Sequence, residues 1–333
     1  MIHDNAEFHN IEEFLPLPDG AFEMTRYPEA LRRTLTPNGI AFSLHPTGAE
    51  VRFNVRSGEP VLRLRCDAPN SSDAEIFWGS FNHSKQPVTE HWTEIKITPP
   101  SNMPMLERIS KLQHLPFAPH LARVILPYGP TIHYGGIVGD IEPPRREQLP
   151  DRTMLMYGSS ITMGGCAHRA VNTFASRAAR LLCMDLLNLG LGGSAMCEPG
   201  VANYIAARAD WDLAVLELGV NMCGEFSMQE FQNRVEYFIP TIAKAHPASY
   251  VFCLDIFPFY GDLDSADNKH HEFRRIVRQT VQKLDLFNVI YLDATTMLRD
   301  LSGLTTDLIH PSPAGMEEIA RNLVRQMSER MKW

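Results

Sequence analysis

No apolar run in this 333-residue chain reaches the ~18 residues that a membrane-spanning helix requires, so no membrane span is expected. Positive charge is in deficit: 31 Lys and Arg stand against 39 Asp and Glu, a formal net charge of -8. A nucleic-acid binder ordinarily presents a basic face, and none is visible. The Arg145-Arg146 pair sits in a proline-rich connector and reads as solvated. The opening Met1-Ile2-His3-Asp4-Asn5-Ala6-Glu7 has neither the basic nor the apolar segment of a secretion signal, so a cytoplasmic location is expected. The six cysteines (Cys66, Cys166, Cys183, Cys197, Cys223 and Cys253) contain no Cys-x-x-Cys pair, and several fall inside apolar patterns, as buried free thiols do. Internal repeats and low-complexity tracts are missing as well. Apolar residues at 44% and charged residues at 21% fit a globular protein and argue against disorder.

A chain of this length exceeds the usual single domain, and the pattern changes partway along it. Residues 1–142 are expected to form one domain, residues 143–152 a linker, and residues 153–333 a second domain. Between about residues 35 and 140, short strand patterns alternate with Pro and Gly punctuation. They run through Val51-Arg52-Phe53-Asn54-Val55, Val61 to Cys66 after a Gly58-Glu59-Pro60 turn, Glu75 to Trp78, Trp92 to Ile97, Arg123 to Leu126 and Ile132 to Tyr134. That density predicts an antiparallel β-sandwich, jelly-roll-like in kind. Glu142-Pro143-Pro144-Arg145-Arg146-Glu147-Gln148-Leu149-Pro150 reads as the linker.

Beyond it, apolar strands alternate with amphipathic helices. The strands are centred on Met154-Leu155-Met156, Leu186-Leu187, Leu213 to Leu216, Tyr250 to Leu254 and Val289 to Leu292. Helices are expected near Asn172 to Met184, after the Ser227-Met228-Gln229-Glu230 capping box, through Phe273 to Leu284, and from Ala314 on. Five buried strands separated by helices imply a parallel sheet covered on both faces, which binds ligands at the carboxyl ends of its strands.

The residues with chemistry fall at those ends. Ser160, in Tyr157-Gly158-Ser159-Ser160-Ile161-Thr162, follows the first strand. A serine hydroxyl needs a base to become a nucleophile, and the base needs an orienting partner. Asp307-Leu308-Ile309-His310 offers both. Asn188-Leu189-Gly190-Leu191-Gly192-Gly193-Ser194 follows the second strand and Gly219-Val220-Asn221 the third, where backbone N–H groups and a side-chain amide could serve a developing oxyanion. Taken singly, each has a plain structural reading: a turn, a helix cap, a sharp loop, a backbone-bonding amide. Their joint occurrence at successive strand ends is poorly explained that way. Elsewhere, Cys166 and His168 read as a packed thiol and its neighbour, Cys197 and Cys223 as packing behind loops, Glu217 as a structural acceptor, and His270-His271 as a solvated helix start. Trp78, Phe81, His83 and Trp92 read as core more readily than as a sugar-stacking platform.

These four blocks, in this order, resemble the SGNH (GDSL-type) hydrolase superfamily over roughly residues 151 to 330. The resemblance implies the SGNH hydrolase fold, an α/β flavodoxin-like parallel sheet with helices on both faces. It implies Ser160, Asp307 and His310 as the catalytic residues. The oxyanion donors would be Ser160, Gly193 and Asn221, and no metal or cofactor is needed. Two positions depart from the pattern: Ser159 replaces the usual Asp beside the nucleophile, and Met222 replaces the Asp that commonly follows the Asn. Cys166 and Met222 stand where substrate contacts would fall. The expected activity is hydrolysis of carboxylic esters with short acyl groups, such as O-acetyl groups on a small molecule or carbohydrate. Acyl transfer to a small-molecule alcohol is an alternative, and non-catalytic carbohydrate binding a second. Nucleic-acid and membrane partners are not expected; a homo-oligomer is left open.

Overall fold

The computed structural model describes residues 1–68, 72–264 and 268–331. The chain forms two compact units, each assembled from separate stretches. One comprises Met1–Glu29, Ser43–Arg152 and Cys183–Leu187; the other comprises Ala30–Phe42, Thr153–Leu182 and Asn188–Trp333. Among the described residues no helix is long and apolar enough to cross a membrane.

The first unit is an antiparallel sheet of ten strands, as the strand-rich pattern predicts. Its longest member, Glu50–Cys66, pairs with Leu121–Ile125 through its first residues and with Thr93–Lys96 through its last. The Gly58-Glu59-Pro60 turn expected to separate two strands is instead a bend within this one strand. Its partner Ile132–Glu142 stays paired on both sides of the bend through register shifts, so the ladder continues. Gly58 adopts φ 69°, a conformation that costs glycine little, and residues 56 to 59 are exposed. The core joins Phe8, Met24, Val51, Phe53, Leu62, Leu64, Trp78, Val124 and Tyr134. Trp78 is thus a core residue. Trp92 is half-buried beneath the Arg63 and Arg65 guanidinium groups, at 5.2 and 4.6 Å from its ring centre. A helix, Met103–Gln113, also lies in this unit and was not apparent from periodicity.

Among the described residues, a five-stranded parallel sheet is made by Thr153–Tyr157, Asp185–Asn188, Leu213–Glu217, Tyr250–Leu254 and Val289–Leu292. Their order in the sheet is second, first, third, fourth, fifth, the flavodoxin-like arrangement. Every residue of the second and third strands is buried, as a sheet covered on both faces requires. Helices Pro199–Ala207, Met228–Ala245 and Lys269–Leu284 pack successively against one another, while Phe174–Leu181 packs with Pro313–Ser328. Thr173 caps the helix expected from Asn172, so that helix begins at Phe174. Ser227 and Glu230 form the expected capping box.

All six cysteines are free thiols; Cys66, Cys197 and Cys253 are buried, Cys166 and Cys223 half-buried, and Cys183 exposed. The His270-His271 pair does begin a helix, but the solvated reading fails for His270. That ring is buried, edge-on to Phe259, with Nε2 3.3 Å from an Asp262 carboxylate oxygen.

Candidate active site

The first parallel strand ends at Tyr157, and Gly158 leads into a one-turn helix, Ser160–Met163. Ser159 caps that turn: its hydroxyl accepts the Ile161 N–H at 3.1 Å. Its own N–H donates to Glu217 Oε2 at 2.6 Å, and the Thr162 hydroxyl donates to the same oxygen at 3.0 Å. Glu217 therefore holds the turn from below, as the structural reading of that residue supposes. Burial pushes its carboxyl above the usual range, against the opposing effect of these hydrogen bonds. A side chain at residue 158 would not fit, because a Cβ there would lie 2.3 Å from Thr162 Oγ1 and 2.4 Å from Glu217 Oε2.

With Ser159 turned inward, Ser160 presents the outward hydroxyl. Its Oγ lies 2.7 Å from His310 Nε2, and His310 Nδ1 lies 2.7 Å from Asp307 Oδ2. The loop carrying the acid and the base is tied to itself. Asp307 Oδ1 accepts the Ile309 N–H at 2.8 Å, the His310 N–H at 2.9 Å and the Thr305 hydroxyl at 2.9 Å. Desolvation opposes ionisation of Asp307, but the hydrogen bonds from His310, Ile309 and Thr305 outweigh it and hold the carboxyl well below its ordinary range. Asp307 is thereby an anion at neutral pH despite lying at the surface. That is the form able to steady an imidazolium.

The two further loops meet this turn. Gly190 packs so tightly on Met163 that a Cβ would lie 2.5 Å from its backbone nitrogen, and the Leu191 N–H donates to the Gly158 carbonyl at 2.8 Å. Asn188 donates to the Thr162 carbonyl at 2.9 Å. Gly193 adopts φ 59° and is exposed, so its peptide is turned as few other residues would allow. Asn221 Oδ1 accepts the Ala195 N–H at 3.0 Å. A backbone N–H can only donate, so this bond identifies the amide oxygen and leaves Nδ2 as the group able to donate. Ser160 is the first residue of its helical turn, where a backbone N–H has no helical partner.

A contributor that periodicity did not reveal is the short helix Pro37–Phe42, which belongs to this same unit. The Thr36 hydroxyl pairs with the Ser194 hydroxyl. The Phe42 ring lies against Gly192, 3.1 Å from where a Cβ would stand, and Asn38 Nδ2 is 3.3 Å from the corresponding point on Gly193. This helix props the glycine loop at Gly192, Gly193 and Ser194. The only sequence signal was Thr36-Pro37, a capping residue before a first-turn proline.

Of the two positions where substrate contacts were expected, Met222 is fully buried within the turn Val220–Cys223, away from solvent. Cys166 is half-buried near Asp307 and His310, in the left-handed region at φ 64°. The bend that brings it there passes Gly165 directly beneath the imidazole. A Cβ on Gly165 would lie 3.0 Å from His310 Cδ2 and 3.2 Å from the Ser160 carbonyl oxygen. Gly165→Ala is therefore expected to displace the imidazole by a few tenths of an ångström. Such a shift should lower kcat by about 10- to 100-fold with little change in KM. Steady-state kinetics on an aryl acetate would measure it, and an unaltered kcat would contradict this placement of the ring.

Residues 151–328 match the model of the GDSL-like Lipase/Acylhydrolase family. Among curated proteins none matches by sequence. Among solved structures, the chain is similar to the salicylyl-acyltransferase SsfX3 from a tetracycline biosynthetic pathway, with 16% identity and a TM-score of 0.80 over 98% of this chain and 94% of that one. It is also similar to a family two carbohydrate esterase from Cellvibrio japonicus, with 13% identity and a TM-score of 0.65 over 98% and 96% of the two chains. A third likeness is to a family two carbohydrate esterase from Clostridium thermocellum in complex with cellohexaose, with 14% identity and a TM-score of 0.60 over 85% and 93%. At these identities the likeness is one of fold.

Proposed function

The chain belongs to the GDSL-like lipase/acylhydrolase family, and from that premise we propose that it is a serine esterase cleaving carboxylic esters with short acyl groups. The observation that carries this reading is the hydrogen-bonded series Ser160 Oγ, His310, Asp307, with 2.7 Å at each step. His310 Nε2 takes the hydroxyl proton as Ser160 Oγ attacks the ester carbonyl, and the Asp307 carboxylate stabilises the imidazolium formed. The carbonyl oxygen becomes an oxyanion, bound by the Ser160 and Gly193 N–H groups and the Asn221 amide. Collapse expels the alcohol, which carries away the proton from His310, and leaves an acyl-serine. Water, deprotonated by the same imidazole, then attacks the acyl carbon and releases the carboxylic acid.

The acyl acceptor and the alcohol portion are the finer questions. Acetyl groups on a carbohydrate are favoured as substrate by the likeness, across both units, to enzymes described as carbohydrate esterases. Transfer to a small-molecule alcohol is the second reading, favoured by the higher TM-score to an enzyme described as an acyltransferase. Turnover of p-nitrophenyl acetate, longer-chain p-nitrophenyl esters and acetylated sugars, with and without added alcohols, separates the readings. Hydrolysis is expected to yield mainly free acetate and to slow as the acyl chain lengthens. A new ester as the main product would favour the transferase. Absence of turnover, together with failure of a fluorophosphonate to label Ser160, would sink both.

A further inference from the structure

We propose that Cys166, His310 and Asp307 form a binding site for a soft divalent cation of the Zn²⁺ class, and that its occupation arrests the catalytic histidine. After the turn that carries Ser160, Gly164 at φ 109° and Gly165 fold the chain back against the imidazole, and Cys166 is the next side chain. One donor atom from each of Cys166, Asp307 and His310 lies within 4.8 Å of the other two. Tetrahedral zinc, with bonds of about 2.0 to 2.3 Å, holds its ligand atoms about 3.5 Å apart. Closing the difference takes a small movement of an exposed aspartate and a half-buried thiol, with no rearrangement of the sheet.

The donor set points to the class of metal. Thiolate, imidazole and carboxylate together suit zinc, whereas magnesium and calcium favour oxygen donors alone. Three protein ligands leave a fourth position for water. Asp307 is exposed, so an ion can enter from solvent. Another grouping among the described residues, Asp262 with His270 and His271, is less available, because Asp262 is already held by both terminal nitrogens of the Arg274 guanidinium.

Occupation and catalysis exclude one another. His310 uses one ring nitrogen toward Ser160 and the other toward Asp307. Whichever nitrogen the metal takes is lost to that series: either the proton acceptor disappears or its orienting bond does. Binding also converts the Cys166 thiol to a thiolate and releases its proton to solvent, so affinity rises with pH. The consequence for turnover rests on the esterase reading above; the binding does not.

Calorimetric titration of the full chain with ZnCl₂, beside turnover of p-nitrophenyl acetate at buffered free Zn²⁺, tests the site. Wild type should bind one Zn²⁺ with loss of turnover over the same concentration range, and Mg²⁺ should do neither. Cys166→Ala and the near-isosteric Cys166→Ser should each weaken binding, and inhibition relative to that variant's own uninhibited rate, by at least about tenfold. Equal Zn²⁺ affinity in wild type and both variants, or no binding to wild type, would overturn the proposal. Cysteine-dependent binding by a protein that turns over no ester would uphold the site and remove the esterase reading instead.

Discussion

Replacing Ser160 by alanine is expected to lower turnover of p-nitrophenyl acetate by about 10⁴- to 10⁶-fold, the range seen when a triad nucleophile is lost. The fold should not register the change. The Ser160 hydroxyl makes a part-buried bond to His310 Nε2, while the cap of the turn is supplied by Ser159. The neighbouring substitution makes the informative contrast. Ser159→Ala removes the cap and should cost about 0.5–2 kcal/mol of stability, yet it retains the hydroxyl that faces the base. Initial rates and denaturant midpoints on the two variants give opposite patterns if Ser160 attacks: activity lost with stability kept, against stability reduced with much of the activity kept. Wild-type turnover by Ser160→Ala would reject the assignment.

Asn221→Asp carries the second large expectation. The aspartate is nearly the same shape and can still accept the Ala195 N–H that the amide oxygen accepts at 3.0 Å. What it loses is the Nδ2 donor, and it sets a negative charge where the proposed mechanism forms the oxyanion. Loss of a single oxyanion donor typically costs about 10²- to 10³-fold in kcat, and the added repulsion should place this variant at or beyond that range. Asn221→Ala should fall less far in kcat but lose the Ala195 tether, and with it some order in the glycine loop. Activity of Asn221→Asp equal to or above that of the alanine variant would mean that the amide acts only through its tether to Ala195.

Much of this site could be read before any coordinates, because in a parallel sheet chemistry collects after the strands, and these strands are apolar runs that periodicity finds readily. Ser160, Gly193 and Asn221 were legible as residues following the first three strands. Asp307 and His310 were legible from their spacing. Less legible was anything that depends on a bend. Glu50–Cys66 looked like two strands because Gly-Glu-Pro is turn chemistry, and only its long antiparallel partner keeps the ladder unbroken. The burial of His270 was missed because Asp262 and Phe259 approach it from a preceding loop, which spacing does not encode. Cys166 stood six residues after Ser160 with no periodic signal, and it reaches His310 only because two glycines turn the chain back.

The short helix Pro37–Phe42 bears on how such an enzyme can be rearranged. Thr36 just before it, with Asn38 and Phe42 within it, props the loop of Gly192, Gly193 and Ser194 although most of a sheet lies between them in the chain. A fragment starting at residue 153 would inherit Ser160, Gly193, Asn221, Asp307 and His310 yet leave this prop behind. The catalytic unit is therefore not a portable cassette. Gene fusions or shuffled chimeras joined at the proline-rich stretch should transmit the chemistry without its rigidity, and positions 36–42 and 192–194 should change together as relatives diverge.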